Sequence, residues 1–122
     1  DMICAGNMVK QGYSIAYAAD ARVYHSHNYS CVQQFHRNFD LGVSQAEHPE
    51  IFADVPSEGE GLRLVKRSME YLVKTGHVWL IPQLILQSGA KYAGYFLGKR
   101  YNKLPNKIVF ACTMNPYYWK KG

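Results

Sequence analysis

The chain has 122 residues, 48% of them hydrophobic, which suffices for one modest domain with its own core and excludes a wholly disordered tail. Its net charge of +5 conceals an asymmetry: residues 1–59 hold three Lys/Arg against seven Asp/Glu, and residues 60–122 hold eleven against two. Three cysteines without a CxxC argue against a secreted disulfide scaffold and for a reducing compartment, with the cytoplasm expected.

Position 1 is Asp, not Met, and no charged start leads into an apolar run, so the chain is expected to begin at a cut with more sequence upstream. Met2 to Gln11 contains good helix formers, sets Cys4 and Met8 one turn apart, and meets Gly12 where a left-handed residue would cap a short helix. "YSIAY" and "RVYHSH" then alternate β-branched or aromatic side chains with others around the polar bend "AADA", the pattern of two short strands or one broken strand. Ser30 and Gln33 form a capping-box pair, and Val32, Phe35, Phe39 and Val43 recur at helical spacing, predicting a helix from about Cys31 to Val43.

The stretch "SQAEHPEIFADVPSEGEG" is polar, holds two prolines and two glycines and shows no period, and is expected to be a loop. A second capping pair, Ser57 and Glu60, precedes the apolar stripe Leu62, Val65, Met69 and Leu72, predicting an amphipathic helix that ends near Gly76. "HVWLIPQLILQSGAKYAGYFLG" is apolar but interrupted by Pro82, Gln83, Gln87, Ser88 and Lys91, so one or two packed or interfacial helices are expected there, not a membrane span. The last segment mixes cations with Tyr and Trp, a composition equally suited to a membrane surface or to a partly packed terminus. The fold class is thus mainly α with a small β element. Residues 1–45, a loop at 46–59, and a basic helical extension at 60–122 are the expected divisions.

In a strand, side chains at i and i+2 share a face, so His25 and His27 would project together. Neutral imidazole is a common ligand for divalent ions; the competing reading has one histidine hydrogen-bonded into the core and the other exposed. A zinc cluster drawn from Cys4, His25, His27, Cys31 and His36 lacks the paired spacing of structural zinc sites.

Read together, the opening "DM", "GYSIAY", "ARVYHSHNYS" and "FHRNFDLGV" resemble the end of the catalytic domain in rhamnosyltransferase-like members of glycosyltransferase family 2. "SGAKYAGYFLGKRYNKLP" is similar to the C-terminal extension of these proteins. The resemblance implies the C-terminal fragment of a GT-A α/β enzyme followed by a helical extension, inactive by itself. The complete protein would be an inverting enzyme that moves a sugar from a nucleotide-sugar donor to a glycan or lipid-linked acceptor in cell-surface polysaccharide synthesis.

By the same resemblance Asp1 stands where the base that deprotonates the acceptor would be, with a helix N-cap as the alternative. His25, or His27, matches the ligand of a divalent cation, manganese or magnesium, on the donor's phosphates. Arg37 and Asp40 fall at positions expected to meet substrate, with an i, i+3 ion pair as the alternative. "QFHR" is similar to the QxxRW motif of processive relatives, but Asn38 replaces its Trp, and processivity is not carried over. The expected location is cytoplasmic and peripheral at the inner membrane face, the basic half meeting anionic lipid. A homodimer of the fragment is expected, and no nucleic-acid partner. The alternative from the residues alone is a basic nucleic-acid-binding module or a purely structural helical interaction domain.

Overall fold

The computed structural model describes residues 2–23, 28–52 and 57–121. Among these residues six helices follow one another: α1 (Met2–Lys10), α2 (Cys31–Glu47), α3 (Pro49–Phe52), α4 (Ser57–Lys74), α5 (Ile81–Gly98) and α6 (Asn106–Cys112), with short 3-10 turns at Val78–Leu80, Tyr101–Lys103 and Tyr118–Lys121.

The helix ends are those the residue types dictate. α1 closes at Gly12 (φ 89°) and α4 at Gly76 (φ 74°), both in the left-handed region that glycine enters without steric cost. At α4 the His77 N–H reaches the Leu72 carbonyl at 2.8 Å and the Gly76 N–H that of Val73 at 3.2 Å, a Schellman pair that satisfies two end carbonyls. α2 opens with the reciprocal cap expected of it: Ser30 Oγ accepts the Gln33 N–H at 3.2 Å, and Gln33 Oε1 accepts the Ser30 N–H at 2.9 Å. At α4, the Glu60 carboxylate accepts from Arg63 Nη1 at 2.7 Å, and the expected Ser57–Glu60 cap lies outside the described residues.

Two expectations are corrected. No strand occurs among the described residues: 13–18 and 21–23 carry no regular structure, and 24–27 lie outside them. A period-2 pattern makes a strand only where other strands supply hydrogen bonds, and an isolated hairpin is marginal in water. Among the described residues no sheet receives it, and Tyr17 stands 94% exposed. The fold is therefore mainly α, without the small β element in what is described. The segment predicted as a loop also holds helix: α2 runs four residues past Val43 to Glu47, Pro49 starts α3, and α4 begins at Ser57. Proline at the first helical position costs no hydrogen bond, which a reading of proline as a breaker overlooks.

α2 is the central element. One flank lies against α5, running in the same direction: Gly94 sits on the Phe35 backbone, Gly98 on Phe39, and Gly42 on Tyr95 and Lys99. A Cβ on Gly42 would come within 2.5 Å of the Tyr95 carbonyl oxygen, so the two backbones meet with no side chain between them. The other flank receives the C-terminal segment. Phe39, Val43 and Val109 form the buried core, with Leu97, Tyr101, Leu104, Cys112 and Trp119 packed around it. Burying such side chains stabilises by about 1.5–3 kcal/mol each, and these few residues hold the C-terminal segment to α2.

Polar ties join α2 to the tail. His36 Nδ1 donates to the Cys112 carbonyl at 2.7 Å, and Tyr118 donates to Glu47 at 2.9 Å. α1 rests on α3 through Gly6 and Ile51. α4 packs on α5 and on the turn before it, and none of its described side chains is fully buried.

Candidate functional site

The residues expected to carry chemistry divide into those the fold describes and those it does not. Asp1, His25 and His27 lie outside the described residues. Arg37 and Asp40, one turn apart on α2, diverge.

Asp40 turns toward the tail. Its Oδ1 accepts the Thr113 hydroxyl at 2.6 Å and its Oδ2 accepts the Met114 N–H at 2.9 Å. Both carboxylate oxygens are thereby engaged where the chain leaves α6, and buried Thr113 is satisfied. Hydrogen bonds to an ionised acceptor contribute about 1.5–3 kcal/mol each, so this carboxylate is a structural tie of some strength.

Arg37 points away from the core. Its Nη1 donates to the Tyr29 hydroxyl at 2.8 Å, and its guanidinium lies 5.2 Å from the centre of the Tyr29 ring. The alternative reading, an Arg37–Asp40 ion pair, gives way to these two separate sets of partners. A guanidinium offers five N–H donors in a planar fork, so one bond to a phenol leaves capacity for an anion on the solvent side. Tyr29 is two residues after His27, which ties Arg37 to the end of the histidine segment.

Tyr29 was not identified from the sequence. The available signal was slight: an aromatic residue immediately before the Ser30 cap, facing a cation two turns into the helix.

Among the described residues no group of three His, Cys, Asp or Glu side chains is placed to hold a metal ion. His36 donates from Nδ1 to the Cys112 carbonyl and Asp40 holds the tail, and neither stands in such a group. The described part of the chain thus does not by itself fit a divalent-cation site. The cysteines Cys4, Cys31 and Cys112 are free thiols, and burial pushes the Cys112 thiol above its ordinary range, as expected for an inert packing residue.

Around the tail, Glu47 faces two phenols. Desolvation and the neighbouring Glu47 charge raise the Tyr101 hydroxyl above its ordinary value, and the hydrogen bond to Glu47 does the same for Tyr118. No described helix is long and apolar enough to cross a membrane.

No protein-family model matches the chain, and no solved structure does. Two curated proteins do. Over 120 residues the chain is 43% identical to the O-antigen chain rhamnosyltransferase WbaN of Salmonella anatum and 42% identical to the O-antigen chain rhamnosyltransferase RfbN of Salmonella typhimurium. Each alignment takes in 98% of this chain and 38% of the relative's length. The chain is accordingly similar, along nearly all of its length, to a part of these O-antigen chain rhamnosyltransferases.

Proposed function

We propose that the chain is the C-terminal part of a rhamnosyltransferase-like glycosyltransferase of family 2, and that the complete protein transfers a sugar, with inversion, from a nucleotide-sugar to a glycan acceptor in O-antigen synthesis. One observation carries this reading: identity above 40% to two proteins named as O-antigen chain rhamnosyltransferases, sustained over 98% of the chain. In this reading residues 13–27 pair with a sheet of the GT-A type supplied by the rest of the protein. Such pairing would account for the exposed alternation of Tyr13, Ile15 and Tyr17.

Within that frame Asp1 takes the proton from the acceptor hydroxyl, and Arg37, oriented by Tyr29, binds the donor's phosphate or the acceptor. Asp40 acts indirectly by fixing the 113–114 segment against α2. His25 or His27 would help hold a manganese or magnesium ion, together with carboxylates from outside this chain; such an ion would offset charge on the leaving diphosphate. The protein would work peripherally at the cytoplasmic face of the membrane that carries its acceptor.

The test is transfer by the complete protein. Asp1→Asn is expected to reduce transfer at least a hundredfold without changing the melting temperature. His25→Ala is expected to shift the concentration of metal needed for half-maximal activity. Undiminished transfer by Asp1→Asn would remove Asp1 as the base, and absence of any sugar transfer by the wild-type protein would end the reading.

A further inference from the structure

We propose that the α4–α5 hairpin is the surface by which the complete protein docks on an anionic lipid bilayer, with the outer stripe of α5 and the Trp79 turn entering the interface. This deepens the peripheral placement given above and rests on it.

The placement of α5 leaves one line of side chains unpartnered. Gly94 and Gly98 fix which side of the helix meets α2. Ile85, Tyr92 and Phe96, at spacings of seven and four, fall on the opposite side, and all three are exposed. At the head of this stripe the connecting turn presents Trp79, 65% exposed. At its foot the Arg100 guanidinium sits 3.7 Å over the Phe96 ring. Aliphatic side chains with Trp and Tyr beside them, and a cation at the border, are the composition of an interfacial helix.

Charge selects the occupant. Residues 71–122 contain eight Lys/Arg and no Asp or Glu, and upstream α4 holds Glu58, Glu60 and Glu70 against Arg63, Lys66, Arg67 and Lys74, with Glu60 paired to Arg63. An apolar stripe on a hairpin whose cations outnumber its carboxylates complements a layer of anionic headgroups over hydrocarbon. A nucleic acid would use the cations but has no place for Ile85. A neutral protein partner would use the stripe but gives no reason for the excess of cations.

The experiment is sedimentation of the complete protein with phosphatidylglycerol-containing vesicles and with pure phosphatidylcholine vesicles. Binding to the first and little to the second is expected. Lys74→Gln with Lys91→Gln, both exposed on the hairpin, should weaken anionic binding about 25-fold, since each cation near such a surface contributes about a fivefold factor. Trp79→Gln with Ile85→Gln should weaken it at least tenfold at an unchanged melting temperature, both side chains being exposed.

Equal binding to both vesicle types, no binding, or binding untouched by Trp79→Gln with Ile85→Gln would overturn the proposal. A soluble dimer dissociated by that same pair would also overturn it, because a second copy would then be the occupant. Sugar transfer to a water-soluble acceptor separates this from the enzymatic reading. Transfer retained while vesicle binding is lost in the variants supports the docking surface; vesicle binding as expected with no transfer by the wild type supports the surface and ends only the enzymatic reading.

Discussion

Replacing Gly94 with alanine is expected to destabilise the chain, while the same change at Gly89, five residues earlier in α5, is expected to stabilise it. Alanine is favoured over glycine inside a helix by about 1 kcal/mol, a gain both positions share. A Cβ at Gly89 would meet nothing within 4 Å, so there the gain stands alone. At Gly94 it would collide with the Phe35 carbonyl oxygen and lie 3.0 Å from the Phe35 carbonyl carbon and 3.1 Å from the Phe39 nitrogen. All three are backbone atoms of α2 and cannot rotate aside, so α2 and α5 must separate.

Overpacking of this kind costs about 3 kcal/mol at its upper range, leaving a net loss near 2 kcal/mol after the propensity gain. With a urea dependence of about 2 kcal/mol per molar, the unfolding midpoint should fall by about 1 M for Gly94→Ala and rise by about 0.5 M for Gly89→Ala. Urea titration followed by circular dichroism reads both. A Gly94→Ala protein as stable as Gly89→Ala would refute the direct contact of the two helix backbones.

Three further outcomes follow from the site geometry. Asp40→Ala removes the acceptor for both the Thr113 hydroxyl and the Met114 N–H and should cost about 3 kcal/mol, read as a lower urea midpoint; Asp40→Asn, which keeps one acceptor oxygen, should cost less. Arg37→Ala, at an exposed position, should leave stability within about 0.5 kcal/mol yet lower sugar transfer by the complete protein, and Arg37→Lys should not restore it, because an ammonium lacks the planar fork; full activity in either variant would remove Arg37 from the site. Raised Tyr101 and Tyr118 values mean that the fold holds the neutral phenols, so their contribution is present below the ordinary tyrosine pKa of 10.0 and is lost as pH rises through the folded values. Alkaline unfolding monitored by tyrosine absorbance should therefore lose part of its pH dependence in Tyr118→Phe, and an unchanged profile would count against the Glu47 contact.

Local chemistry in the sequence was enough to place most helix ends. The Ser30–Gln33 cap, the left-handed Gly12 and Gly76, and the amphipathic run ending before Gly76 each depend on residues within a few positions of one another, and each is present as read. The short α3 at Pro49 and the role of Tyr29 beside Arg37 had only weak local signals. The strand pattern of "YSIAY" and "RVYHSH" makes no strand among the described residues, because pairing depends on a neighbour that an alternating sequence cannot supply for itself. Similarity to rhamnosyltransferases was likewise legible in residues 1–43, although Asp1, His25 and His27 lie outside the described residues.

What only the tertiary structure decided is which residues distant in the chain become partners. Asp40 meets Thr113, His36 meets Cys112 and Glu47 meets Tyr118, each pair more than 70 positions apart, and nothing within either segment announces the other. The same holds for Gly42, Gly94 and Gly98, whose missing side chains matter only because two helices cross there. Periodicity and capping are short-range properties that a sequence states directly, whereas the choice of partner belongs to the packing of whole helices. That packing turned Asp40 toward the tail and left Arg37 facing outward.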